Sequence, residues 1–151
     1  MKNCFLYLIG LLFCLSSYGQ EYISVFRNPQ DSSFNSYLLV LPKAKEEIGG
    51  LIVRDYSRLP NASKKSRYKW IELALENNLA ILYSCTSDYF PELYYNDAPA
   101  MLLDSILNEV LVKYTIPKQN VFIGGMSASG TRALQFEKFL RQGKSKFENK
   151  L

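Results

Sequence analysis

The feature that most constrains the fold is a repeated alternation between short apolar runs and amphipathic segments. Uninterrupted runs such as Leu51 to Val53 are typical of strands that are buried on both faces. Apolar residues at three- and four-residue spacing, as in Leu103, Leu107 and Val110, are typical of a helix that packs on a sheet. The sequence therefore favours an α/β fold over an all-helical or all-strand one.

Turn residues separate the predicted elements. In chain order these are a strand at 21–27, a strand at 36–41, a strand at 51–53, a helix at about 66–77, a strand at 79–83, a helix from Asp97 to Tyr114, a strand at 120–123 and a helix from 131 to about 142. The first two strands can pair as a hairpin, and strand–helix units follow them. We therefore expect a three-layer α/β/α sandwich with a mostly parallel sheet.

The N-terminus has the three regions of a secretory signal peptide. Lys2 supplies a positive charge, Cys4 to Leu15 form an apolar run, and Ser17 and Gly19 place small residues at a cleavage site. A membrane anchor is the alternative, but the run is shorter than the roughly 20 apolar residues that span a bilayer. We expect a signal peptide at 1–19 and one exported domain at 20–151, secreted or periplasmic, without a stable membrane span after cleavage.

The composition excludes several kinds of chemistry. The chain contains no histidine, so by itself it cannot hold a Ser-His-Asp set, a histidine-ligated zinc or a histidine general base. The net charge is +4 and the basic residues form no stripe interleaved with aromatic residues, so nucleic acid is not indicated. No metal or organic cofactor is implied. Cleavage would leave Cys85 as the remaining cysteine, which we expect to be a small buried apolar residue.

The segment from Val121 to Gly130 carries the chemistry. It reads as a strand that enters a sharp turn and passes directly into a helix, with Ser127 at the centre as candidate nucleophile. Such a turn brings the positions two before and two after the serine together, and both are small here, Gly125 and Ser129. The Ala128 amide would be one oxyanion donor. The alternative is a small-residue turn without a catalytic role.

This segment resembles the nucleophile elbow of the α/β-hydrolase superfamily, in particular secreted bacterial esterase-like and peptidase-like members. The resemblance covers most of the chain after the signal peptide and corresponds to the N-terminal half of such an enzyme, so it implies an incomplete α/β-hydrolase fold. It makes 51–53 the third strand of the family, 79–83 the fourth and 121–123 the fifth. In that family the loop after the third strand usually donates the second oxyanion amide, which here would come from Tyr56.

The resemblance implies a truncated secreted serine hydrolase, an esterase or peptidase acting on a small-molecule ester or a peptide. Ser127 would attack the carbonyl, whereas the acid and the histidine, which follow the serine in the family, are missing from this chain. We expect the chain alone to be inactive. The alternative function is that of a non-catalytic exported binding or interaction module on a hydrolase-like scaffold.

Overall fold

The computed structural model describes residues 21–27, 35–43, 47–55, 69–86 and 97–146. Within these ranges the chain forms a five-stranded sheet and three α-helices. The strands are β1 (Glu21–Phe26), β2 (Ser36–Leu41), β3 (Gly50–Asp55), β4 (Leu79–Cys85) and β5 (Val121–Ile123), and the helices are α1 (Lys69–Glu76), α2 (Ala98–Tyr114) and α3 (Ala128–Arg141). The predicted signal peptide at 1–19 and the predicted oxyanion donor Tyr56 lie outside the described residues.

The sheet is mixed, with strand order β1-β2-β4-β3-β5. The hairpin predicted from the first two strands is confirmed, since β1 runs antiparallel to β2. The β2 strand also runs antiparallel to β4. Among the described strands, the parallel pairs are β3 with β4 and β3 with β5.

The predicted fold class, a mostly parallel three-layer α/β/α sandwich representing an incomplete α/β-hydrolase fold, is therefore wrong. The hairpin does not lie apart from the other strands but continues the same sheet, which makes the sheet mixed. The apolar pattern could not reveal this, because a strand buried on both faces reads the same whichever way its neighbours run. All six residues of β2 are buried although both of its neighbours are antiparallel.

The core consists of two clusters on opposite faces of the sheet. The larger one joins alternate residues of the strands, such as Leu39 and Leu51, to Leu107 of α2 and Phe136 of α3. Other residues of β2 and β4, including Leu38, face α1 in the smaller cluster. Successive side chains of each strand point to opposite faces of the sheet, so neighbouring residues of one strand belong to different clusters.

The chain that follows α3 returns to α2. Lys144 Nζ lies 2.5 Å from the carboxylate of Asp97, which occupies the N-cap position of α2 without making a side-chain capping hydrogen bond. The Asp104 carboxylate is buried, accepts a hydrogen bond from the Ser145 hydroxyl, and accepts another from the Lys146 amide at 3.0 Å. The predicted helix thus carries a buried acid that anchors the segment after α3.

Among the described ranges, no helix is both long enough and apolar enough to cross a membrane. Cys85 is buried at the end of β4, as predicted. At the edge of the sheet, Val121 and Ile123 of β5 pack against the larger cluster, whereas Phe122 is 56% exposed. On α3, Leu134 is 67% exposed.

Candidate functional site

Three strands end close together at one edge of the sheet. Val53 of β3 pairs with Ile123 of β5, and the Gly124 amide donates to the Val53 carbonyl at 3.2 Å. On the other side of β3, Asp55 pairs with Ser84 of β4. The segment that follows β5 therefore leaves the sheet beside the carboxyl ends of β3 and β4, where open sheets with parallel strands commonly place their functional groups.

We call residues 124–131 the Ser127 turn. Ser127 is exposed and precedes the first residue of α3 with backbone angles φ 56° and ψ −129°. This is a strained conformation for a residue with a side chain, and such strain persists only where the surrounding structure enforces it. Serine at an N-cap position usually caps its helix, but the Ser127 side chain makes no capping hydrogen bond. Its hydroxyl is therefore presented to solvent by a backbone that holds it there.

The structure brings Gly125 and Ser129 together across the turn. A Cβ on Gly125 would lie 1.8 Å from the Ser129 hydroxyl and 2.6 Å from the Ser129 carbonyl carbon, so no side chain fits there. The Ser129 side chain also makes a bond that glycine could not, because its hydroxyl accepts from the Met126 amide at 3.1 Å. Ser129 thus both fits the turn and braces the residue before Ser127.

The start of α3 supplies backbone donors next to the serine. The Ser127 carbonyl accepts hydrogen bonds from the amides of Gly130 at 2.9 Å and Thr131 at 3.1 Å. The earlier amides, those of Ala128 and Ser129, have no acceptor within the helix, as is general for the first residues of a helix. They carry the positive end of the helix dipole, which suits the binding of a developing oxyanion.

A buried polar cluster lies at the carboxyl ends of β3 and β4. We call it the Asp55 cluster; its members are Asp55, Ser84, Thr86 and Arg132. The Asp55 carboxylate accepts from the Ser84 hydroxyl at 2.8 Å, from the Thr86 hydroxyl at 2.6 Å and from the Thr86 amide at 3.2 Å. Arg132 of α3 completes the cluster, with Nη1 3.7 Å from Asp55 Oδ2.

Burial dominates the electrostatics of this cluster. It raises the pKa of the Asp55 carboxyl, and the hydrogen bonds from Thr86 and Ser84 and the charge of Arg132 oppose that shift. The ion-paired side chains of Asp55 and Arg132 are 4% and 3% exposed. A cavity of about 10 Å³ adjoins the two groups, lined also by Gln135 and Phe136. The cavity is about the size of one water molecule and is too small for a substrate.

The sequence did not predict the Asp55 cluster. The predicted strand at 51–53 stops before Asp55, whereas Asp55 is the last residue of β3 and is buried. The position of Arg132 in the sequence was one indication of a buried polar site. Arg132 lies four residues before Phe136 and seven before Phe139, which places it on the buried face of α3. A charge on the apolar face of a helix indicates a buried partner, but nothing in the sequence shows which acid that partner is.

A second polar cluster ties β1 and β2 to α2, away from the Ser127 turn. The Glu109 carboxylate accepts from the Tyr37 hydroxyl at 2.6 Å and pairs with the Arg27 guanidinium. Arg27 also donates to the Ser105 hydroxyl at 3.3 Å. Burial alone would raise the pKa of Glu109, but the hydrogen bonds from Tyr37 and Arg27 and the Arg27 charge outweigh it, so the pKa lies below its usual value.

Within the described ranges, no group of three or more histidine, cysteine, aspartate or glutamate side chains is arranged to hold a metal ion. Comparison of the chain with protein-family models, with curated proteins and with solved structures finds no match.

Proposed function

We propose that the protein is an exported serine hydrolase that acts on an ester or amide carbonyl and uses Ser127 as its nucleophile. The observation that carries the proposal is the strained backbone of an exposed serine between a strand and a helix. Strain at such a residue lowers stability, so its presence favours a functional role for the side chain that it positions. The likeness of the segment Val121 to Gly130 to a hydrolase elbow supports the same chemistry.

In the proposed reaction, Ser127 Oγ adds to the carbonyl carbon as a base takes the hydroxyl proton. The Ala128 amide, at the start of α3, stabilises the negative oxygen of the tetrahedral intermediate. Collapse of the intermediate breaks the bond to the leaving group, which departs with the proton, and water then releases the acyl group from Oγ. The chain contains no histidine, so a histidine base would come from outside these residues.

The test uses the full-length product of the gene and a fluorophosphonate probe, which reacts covalently with activated serines. We expect labelling of the wild-type protein on a peptide that contains Ser127, identified by mass spectrometry. Ser127→Ala should abolish labelling and ester hydrolysis with little effect on the thermal unfolding temperature, because Ser127 is exposed and its side chain does not cap α3.

Ser24 provides the matched control, since it is an exposed serine on β1, at the other edge of the sheet. Ser24→Ala should leave both labelling and hydrolysis at the wild-type rate. Undiminished labelling and hydrolysis in Ser127→Ala would refute the proposal and favour a binding module instead.

A further inference from the structure

We infer that Asp55 and Arg132 form a positioning pair, which holds the N-terminal half of α3 against the end of β3 and thereby fixes the Ser127 turn. The inference rests on the proposed function of Ser127, and it assigns a role to two buried residues that the reaction itself does not touch.

The geometry links the pair to the turn through one rigid element. Arg132 lies five residues after Ser127 on α3, which is about 7.5 Å along the helix axis at the usual rise. At the other end of the contact, Asp55 is held by donors from two positions on or next to β4, Ser84 and Thr86. The ion pair therefore connects the start of α3 to both β3 and β4 on the side of the helix that faces the sheet.

Fold stability alone is a weak explanation for such a pair. Two charges that are almost fully buried lose their hydration, and apolar residues of similar size at such positions often give equal or higher stability. What this ion pair adds is an attraction between one particular guanidinium and one particular carboxylate, which lie 3.7 Å apart, beyond hydrogen-bond distance, whereas apolar contacts select no particular partner. A positioning role accounts for the buried charges beside a strained nucleophile turn.

The position of α3 sets two things at once. The backbone of Ser127 leads directly into the helix, and the Gly130 and Thr131 amides bond to the Ser127 carbonyl. The Ala128 amide belongs to the same helix. A shift of α3 relative to the sheet would therefore move the nucleophile and its oxyanion donor together, without altering any group that contacts the substrate.

The experiment neutralises the pair in the full-length gene product. The variant Asp55→Asn with Arg132→Met removes both charges, keeps the approximate volumes, and retains an amide oxygen to accept from Ser84 and Thr86. The matched control is Arg27→Met with Glu109→Gln, which neutralises the ion pair between the residue after β1 and α2. For each protein we would measure the thermal unfolding temperature, kcat and KM for an activated ester, and the rate of fluorophosphonate labelling.

We expect the Asp55/Arg132 variant to unfold within a few degrees of wild type while kcat and the labelling rate fall by about 10- to 100-fold at nearly unchanged KM, the range that a misplacement of about 1 Å produces. The control variant should keep both rates. Wild-type rates in a folded Asp55/Arg132 variant would overturn the inference.

Two further measurements cover the remaining outcomes. If the double variant does not fold, the inference is tested with Thr86→Val, which removes one hydrogen bond to Asp55 and keeps nearly the same side-chain shape. A several-fold drop in the rate of labelling would support the inference, and an unchanged rate would overturn it. If the wild-type protein is not labelled at Ser127, the proposed function fails. The positioning role of the pair is then tested by hydrogen exchange at the Gly130 and Thr131 amides. Faster exchange in the folded Asp55/Arg132 variant than in wild type would support the inference, and unchanged exchange would overturn it.

Discussion

Replacement of Gly125 by alanine tests whether the Ser127 turn is as tightly closed as the structure indicates. The new Cβ would lie 1.8 Å from the Ser129 hydroxyl, 2.7 Å from its Cβ and 2.6 Å from its carbonyl carbon. All three separations are far below van der Waals contact. The side chain of Ser129 could rotate, but its backbone belongs to the first turn of α3, so relief requires a movement of the helix itself.

The expected loss of stability has two parts. Overpacking of a closed site usually costs about 1 to 3 kcal/mol. Displacement of the Ser129 hydroxyl also breaks its hydrogen bond with the Met126 amide, at a cost of about 0.5 to 1.5 kcal/mol. Together they lower the free energy of unfolding by about 1.5 to 4.5 kcal/mol. For a chain of this size each kcal/mol lowers the unfolding temperature by about 2 to 4 °C.

The assay is thermal unfolding of the full-length gene product, with Gly124→Ala as the matched control. A Cβ on Gly124 meets no atom within 4 Å, so that variant should change the free energy of unfolding by less than about 1 kcal/mol. The double variant Gly125→Ala with Ser129→Gly should remain destabilised, because the carbonyl carbon at 2.6 Å is still present. Equal unfolding temperatures for the Gly124→Ala and Gly125→Ala proteins would refute the reasoning.

Three other outcomes are expected. Ser127→Gly should be inactive but more stable than Ser127→Ala by up to about 2 kcal/mol in chemical denaturation, because glycine adopts φ 56° and ψ −129° without strain; equal stabilities would contradict this. Phe122→Lys should raise the monomer fraction of residues 20–151 in size-exclusion chromatography, since it places a charge on β5, the edge strand of the sheet that the described residues form, whereas Leu134→Lys, on a helix, should not. Glu109→Gln should lower stability at pH 7. The folded-state pKa of Glu109 lies below its ordinary 4.5, so the stability that the ionised carboxylate contributes is present above that pH and is lost as the pH falls through the folded-state pKa. The difference in the free energy of unfolding between wild type and Glu109→Gln should therefore shrink in acid. A difference that is independent of pH would be inconsistent with this assignment.

The elements near the candidate site follow largely from local sequence. The strand Val121–Ile123 lies within the predicted range 120–123 and the predicted turn follows it, because a short run of β-branched and aromatic residues followed by small residues leaves few other conformations. The helix begins at Ala128 rather than at Thr131, since Ala128, Ser129 and Gly130 are small enough to enter it directly from the turn. The closeness of Gly125 and Ser129 could be expected from their size alone.

The sequence by itself determined the succession of strands and helices, the initial hairpin and the small residues around Ser127, because each of these depends on neighbours within a few positions of the chain. Only the tertiary structure decided that the hairpin joins the sheet antiparallel to β4, and that Arg132 meets Asp55 across 77 positions of sequence. The apolar sequence of a strand that is buried on both faces does not show whether its neighbours run parallel or antiparallel to it. A buried charge, likewise, requires a partner without specifying where in the chain that partner lies.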